Sequence, residues 1–205
     1  MKEFDLYEFT SIFVPGVILI VGTLPLLPQS CVTLLIDKGA LSIFYLLVIG
    51  FAIGHLVQAV GNIVEWFFWI PFRGRPTDWL RLRKQKYFSA VWRSKIFDYY
   101  QLDSHTEPHA KEWEGYVRLT IEKVTNSSGG PHRLLVFNSN YGMFRGMAAA
   151  FLLVMTAHWV YLKLTLIEGI ILLGLTCLSL YRMYRFAGRY ATILLATFIN
   201  EIDHK

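Results

Sequence analysis

Four polar residues interrupt an otherwise apolar run: His55, Gln58, Asn62 and Glu65 lie within Leu41–Ile70, spaced 3, 4 and 3 apart. At helical periodicity that spacing gathers them within an arc of roughly 80° on one face. Gly50, Gly54 and Gly61 fall on an adjoining arc, and Ile53, Leu56, Val57, Val60, Ile63, Val64 and Phe67 cover the opposite side. Polar side chains in a spanning helix are costly, so they face a bundle interior or a wet cavity. In a ring of copies they would line a pore or an ion path, with one Glu65 carboxylate from each. In a single bundle they would be hydrogen-bonding glue between helices. The glycines suit either arrangement, and Gly50-Phe-Ala-Ile-Gly54 has the spacing of a small-residue helix contact.

A second set of residues suits an anion. Arg73, Arg75, Arg81, Arg83, Lys84, Lys86, Arg93 and Lys95 follow the apolar run with one acid, Asp78, among them, and Trp79, Tyr87, Phe88 and Trp92 are interleaved. Cations meet phosphates and rings stack on bases, so such a segment fits single-stranded nucleic acid. The candidate ligand-binding residues are those eight cations with Tyr87 and Trp92. A basic segment next to a membrane also fits apposition to anionic lipid. Arg182, Arg185 and Arg189 form a further stripe, best read as reaching lipid headgroups.

Enzyme chemistry finds little support. His105 and His109 flank Pro108, which breaks the helix that would put both on one face, and no third metal ligand is indicated. There is no Gly-x-Ser-x-Gly, phosphate loop or Cys-x-x-Cys. The two cysteines, Cys31 and Cys177, allow at most one disulfide. The expectation is a protein that is not an enzyme and uses no metal or cofactor.

These residues need a frame. Of 205 residues, 54% are hydrophobic and 17% charged, below the quarter or so usual in soluble domains. The pattern predicts an all-α membrane protein with four transmembrane helices and a small, mainly helical cytoplasmic insert between the second and third. The spans are Phe9–Leu27, Leu41–Ile70, Met143–Tyr161 and Leu164–Tyr184, the last continuing as an amphipathic helix through Phe198. Met1 is followed by Glu3, Asp5 and Glu8, unlike a basic signal peptide, so the first run is kept as a permanent helix. The chain divides into a first transmembrane pair (1–70), a ligand-sensing insert (71–142) and a second hairpin with a tail (143–205). Within the insert, helices are expected from Thr77 or Asp78 to about Tyr100 and over Lys111–Thr125. Arg133–Phe137 reads as a short strand or extended entry. Asn138–Gly146 joins insert to third helix and suits a coupling element, because Gly142 and Gly146 permit bending.

Lysine and arginine set the orientation. The loop Pro28–Ala40 holds only Lys38, the turn near Leu162 holds only Lys163, and the other eighteen cations lie in or beside the termini and the insert. Both termini and the insert are therefore expected in the cytoplasm.

Four helices, a polar second helix and a basic aromatic insert resemble the membrane component of Hailong-type bacterial antiphage defence. The likeness is one of layout, with no diagnostic motif, and no family site residue is carried over. It implies an oligomeric channel in the bacterial inner membrane, held closed by single-stranded DNA that a partner nucleotidyltransferase makes. The partners expected are therefore the lipid bilayer, further copies of the chain (for instance in a tetramer), an oligonucleotide and that nucleotidyltransferase. The competing class is a non-conducting membrane anchor or scaffold that recruits a soluble enzyme.

Overall fold

A computed structural model describes residues 6–36, 39–82, 88–103, 106–126, 131–161 and 163–204. They form helices α1 (Leu6–Thr23), α2 (Gln29–Ile36), α3 (Ala40–Trp69), α4 (Asp78–Arg81), α5 (Ala90–Tyr99), α6 (Ala110–Thr125), α7 (Pro131–Val160) and α8 (Leu166–Asp203), with no strand among the described residues. Four stretches are long and apolar enough to cross a membrane: Phe9–Leu26, Ser42–Trp69, His132–Val160 and Leu166–Asp203. This is the architecture of a multi-pass membrane protein.

Local chemistry explains most boundaries. α1 gives way after Thr23 to a 3₁₀ turn, Leu24–Leu26, where Pro25 removes a backbone donor. α8 opens with a reciprocal cap: Thr165 N–H donates to Glu168 Oε2 at 2.9 Å, and Glu168 N–H donates to Thr165 Oγ1 at 3.3 Å. It then runs unbroken past Phe198 to Asp203.

Three expectations are corrected. The loop Pro28–Ala40 contains a helix, α2. The single helix expected over residues 77–100 is two pieces, because Ser89 accepts the Trp92 N–H at 3.2 Å and starts α5 anew. Arg133–Phe137 is helical, not extended: proline suits the first turn of α7, and Leu134 is buried there.

The chain forms two compact units, Met1–Phe68 with Ser139–Tyr184 and Trp69–Asn138 with Arg185–Lys205. In the first, Val57, Ala149 and Ala150 are buried among Ile18, Leu19, Ile53, Val60, Val64 and Leu153. Small residues set the spacing. A methyl on Gly16 would strike the Gly50 carbonyl oxygen, and one on Gly54 would strike the Ile12 carbonyl oxygen. α1 and α3 therefore cross backbone to backbone, as small residues allow in membranes.

The second unit is built on aromatics. Trp113 and Phe97 are fully buried, with ring centroids 5.8 Å apart, and Trp113 Nε1–H donates to the Thr77 carbonyl at 3.0 Å. Ala187, Ala191, Leu194, Leu195 and Phe198 are buried along the end of α8, and the Tyr100 ring stacks on Phe198 at 5.7 Å. Their spacing is that of one helical face.

Candidate functional site

The four polar residues of α3 divide into an inward and an outward pair. Gln58 and Glu65 face the interior of the first unit, and His55 and Asn62 are exposed. The arc read from the sequence straddles the edge between the packed glycine face and the helix surface. Gly50, Gly54 and Gly61 are all buried, so the glycine arc is the packed one.

Glu65 and Gln58 share one partner. Arg145 of α7 places Nη1 at 2.6 Å from Glu65 Oε2, and its Nε and Nη2 donate to Gln58 Oε1 at 3.3 and 3.0 Å. The Glu65 side chain is 4% exposed and that of Arg145 21%. The pair is formally neutral, which suits an apolar surrounding. Removing one partner from such a pair typically costs about 3–5 kcal/mol, because the other charge is left stranded. Gly61 lies under the Arg145 side chain, and a methyl there would meet Arg145 Cγ at 3.3 Å.

Gln58 also uses its amino group. Nε2 donates to the Ser11 carbonyl of α1 at 2.8 Å and to the Gly142 carbonyl of α7 at 3.0 Å. One carboxamide of α3 thus touches two further helices, α1 and α7. Gly146 makes room for it, since a methyl there would lie 2.6 Å from both Gln58 Nε2 and Pro15 Cγ. The segment Asn138–Gly146 is helical throughout, and its residues 142–146 supply this contact.

The outward pair differs. His55 meets the Phe51 ring edge-on at 4.8 Å, and Asn62 projects from the same exposed strip of α3 as Ala52, Ala59 and Trp66. By contrast, exposed residues of α8 in this unit include Ile167, Ile170, Ile171, Leu178 and Tyr181, a surface suited to lipid.

Neither Arg145 nor His158 stands out in the sequence as a partner. His158 is buried, and its Nε2 lies 2.9 Å from the Gly22 carbonyl oxygen. A carbonyl only accepts, so Nε2 carries the hydrogen; Nδ1 is buried with no hydrogen bond among the described residues.

The basic residues of the second unit are partly committed to its own structure. Arg81 donates to the Pro108 carbonyl at 3.1 Å. Arg93 donates to the carbonyls of Leu80 at 3.2 Å and Thr106 at 3.3 Å, with its guanidinium 4.0 Å from the centre of the Phe97 ring. Lys95 pairs with Asp203 at 2.5 Å. Arg73 and Arg75 are exposed at the turn after α3, where Arg73 and Gly74 take positive φ. Of the aromatics, Trp79 and Phe88 are core residues, and Trp92 is half-buried with its ring stacked on Phe88 at 6.3 Å. Arg83, Lys84, Lys86 and Tyr87 lie outside the described residues, as does His105. Cys31 and Cys177 are exposed free thiols.

Comparison of the chain with protein-family models, curated proteins and solved structures finds no match.

Proposed function

We propose that the chain is a homo-oligomeric membrane channel, with the outward strip of α3 facing further copies and the ion path. The observation that carries this reading is the exposure of His55 and Asn62 on a helix apolar enough to span a bilayer. Lipid offers no hydrogen-bonding partner to an imidazole or a carboxamide, whereas copies of Asn62 around an axis both donate and accept. Glu65, already paired with Arg145, is assigned to holding the bundle together rather than to the pore wall.

The charge asymmetry supports a bacterial inner-membrane orientation with both termini and the second unit in the cytoplasm. There the exposed Arg73, Arg75 and the partly exposed Trp92 are proposed to sense an anionic ligand, a single-stranded oligonucleotide, and the layout resemblance supports a role in antiphage defence. The engagement of Arg81, Arg93 and Lys95 within the second unit favours the other reading, a non-conducting anchor that presents this unit to a soluble enzyme. Potassium flux from liposomes holding the purified chain separates the two. A channel conducts, and Asn62→Leu suppresses the flux; an anchor gives none in either form.

A further inference from the structure

Pro15 lies inside α1 and has no N–H. In a regular helix that N–H would bond the carbonyl four residues earlier, that of Ser11. Gln58 Nε2 supplies a donor to this carbonyl at 2.8 Å. In hydrocarbon a proline is tolerated where a neighbouring helix re-satisfies the backbone group it frees. Gln58 does not stand alone: Arg145 holds its Oε1, Glu65 holds Arg145, and the same Nε2 reaches the Gly142 carbonyl. The side chain is therefore oriented by a charge pair and bridges the proline position of α1 to α7.

Proline removes the hydrogen bond that would stiffen α1 at this point, so the position is a natural hinge. One restraint on it comes from outside the helix, through an amide whose orientation depends on an ion pair. We propose that Gln58 is a latch on a proline hinge in α1, and that the Glu65–Arg145 pair sets whether the latch is engaged. Engaged, it holds residue 11 beside residue 142; released, it lets the segment of α1 before Pro15 move away from α7. The functional meaning of the latch rests on the channel reading, while its mechanical action does not.

The backbones of residues 11 and 142 both touch one nitrogen, so cysteines there report the latch. Residue 142 tolerates a side chain, since a methyl on Gly142 meets nothing within 4 Å. In the full chain carrying Cys31→Ser, Cys177→Ser, Ser11→Cys and Gly142→Cys, mild oxidation should join the pair rapidly. Adding Glu65→Gln, or separately Gln58→Leu, should slow disulfide formation about tenfold, within the range expected of a coupling between two states. Both substitutions should shift basal potassium flux in one direction, and oxidation of the cysteine pair should shift it in the other, with reversal potential unchanged. Equal rates of disulfide formation in all three backgrounds, with only a lower melting temperature, would reduce the cluster to helix glue and overturn the latch. Absence of flux in every form would count against the channel, while the cysteine rates still decide for or against the latch.

Discussion

Gly16 of α1 and Gly50 of α3 meet so closely that a single methyl group at residue 16 would overlap the Gly50 carbonyl oxygen. The obstacle is backbone, which cannot rotate away as a side-chain end can. Gly16→Ala should therefore force the two helices apart and destabilise the purified protein by at least about 1–3 kcal/mol, the usual cost of overpacking. Gly174→Ala is the control, because a methyl there meets nothing within 4 Å. It should leave the protein unchanged or raise its stability by about 0.5–1 kcal/mol through better helix propensity. Thermal unfolding in one detergent compares the two directly.

Ion selectivity should depend on Asn62 and not on Glu65. The Glu65 carboxylate is buried against Arg145, whereas Asn62 is exposed. In a ring of copies, Asn62→Asp places carboxylates on the pore wall and should increase cation over anion preference in reversal-potential measurements. Glu65→Gln should leave that preference as it is. A loss of cation preference in Glu65→Gln would move Glu65 to the pore and Asn62 away from it.

The limits of sequence reading are visible in these same residues. The spans were legible because a long apolar run has few alternatives, although the third begins at His132 and not at Met143, and the unbroken α8 followed from a face that continues through Phe198. The arc of His55, Gln58, Asn62 and Glu65 was legible too, but not its division. Helical period says which residues share a face; it does not say where the neighbouring helix stops. That edge is set by Arg145, 80 positions from Glu65 along the chain. The break between α4 and α5 was hidden for a local reason: Ser89 can continue a helix or cap one, and only its bond to Trp92 shows which. Arg133–Phe137 misled because its apolar residues fit a strand as well as a turn of helix; with proline at its first turn, the segment runs unbroken into the spanning part of α7.

Asp78 gives the second unit a pH dependence. Burial of its carboxyl, the largest influence, raises its pKa above the ordinary 3.8, against the lowering effects of the Arg75 N–H and of the Arg81 and Arg75 charges. The folded chain thus holds this proton more tightly than the unfolded chain does. The stability contributed is fully present below the unfolded value and is lost as pH rises through the raised folded value. Asparagine can still accept the Arg75 N–H and never ionises. Asp78→Asn should melt above the parent at neutral pH, with the advantage shrinking as pH falls toward 3.8 and vanishing below it. Parallel melting curves across that range test the sign.

In the second unit, burial should outweigh charge. Lys95 and Asp203 pair at 2.5 Å, but their side chains are 39% and 44% exposed. Exposed pairs contribute roughly 0–1 kcal/mol, so Lys95→Ala should lower stability by no more than that. Phe97→Ala removes a ring with no exposed surface and leaves Trp113 and the Arg93 guanidinium without their packing partner. It should cost about 3–5 kcal/mol. Equal losses in denaturant melts of the two variants would mean that the exposed Lys95–Asp203 pair holds this unit as strongly as the buried contact of Phe97 with Trp113.

Ligand sensing makes a sharper demand on individual side chains. Neutralising phosphates releases counterions, so oligonucleotide affinity should fall with salt, at about 0.7 logarithmic units per phosphate contact on a single strand. Cations already engaged within the unit contribute little to that slope, because their donors have protein acceptors in the free state. Arg93→Gln, which removes the charge, should therefore leave the slope nearly intact, whereas Arg73→Ala, at an exposed position, should lower it by about 0.7. Trp92 is the one described aromatic of the basic segment that keeps accessible surface beside a second ring, Phe88. If it stacks on a base, Trp92→Ala should weaken binding by about 1–3 kcal/mol at every salt concentration, leaving the slope alone. Lipid apposition predicts the opposite division, with charge reversal mattering and Trp92 showing no coupling to any oligonucleotide. Titration of labelled oligonucleotides of several sequences into detergent-solubilised protein reads both quantities. No binding at low salt would remove the sensor and leave the anchor reading in its place, since the cations of this unit would then serve its own fold.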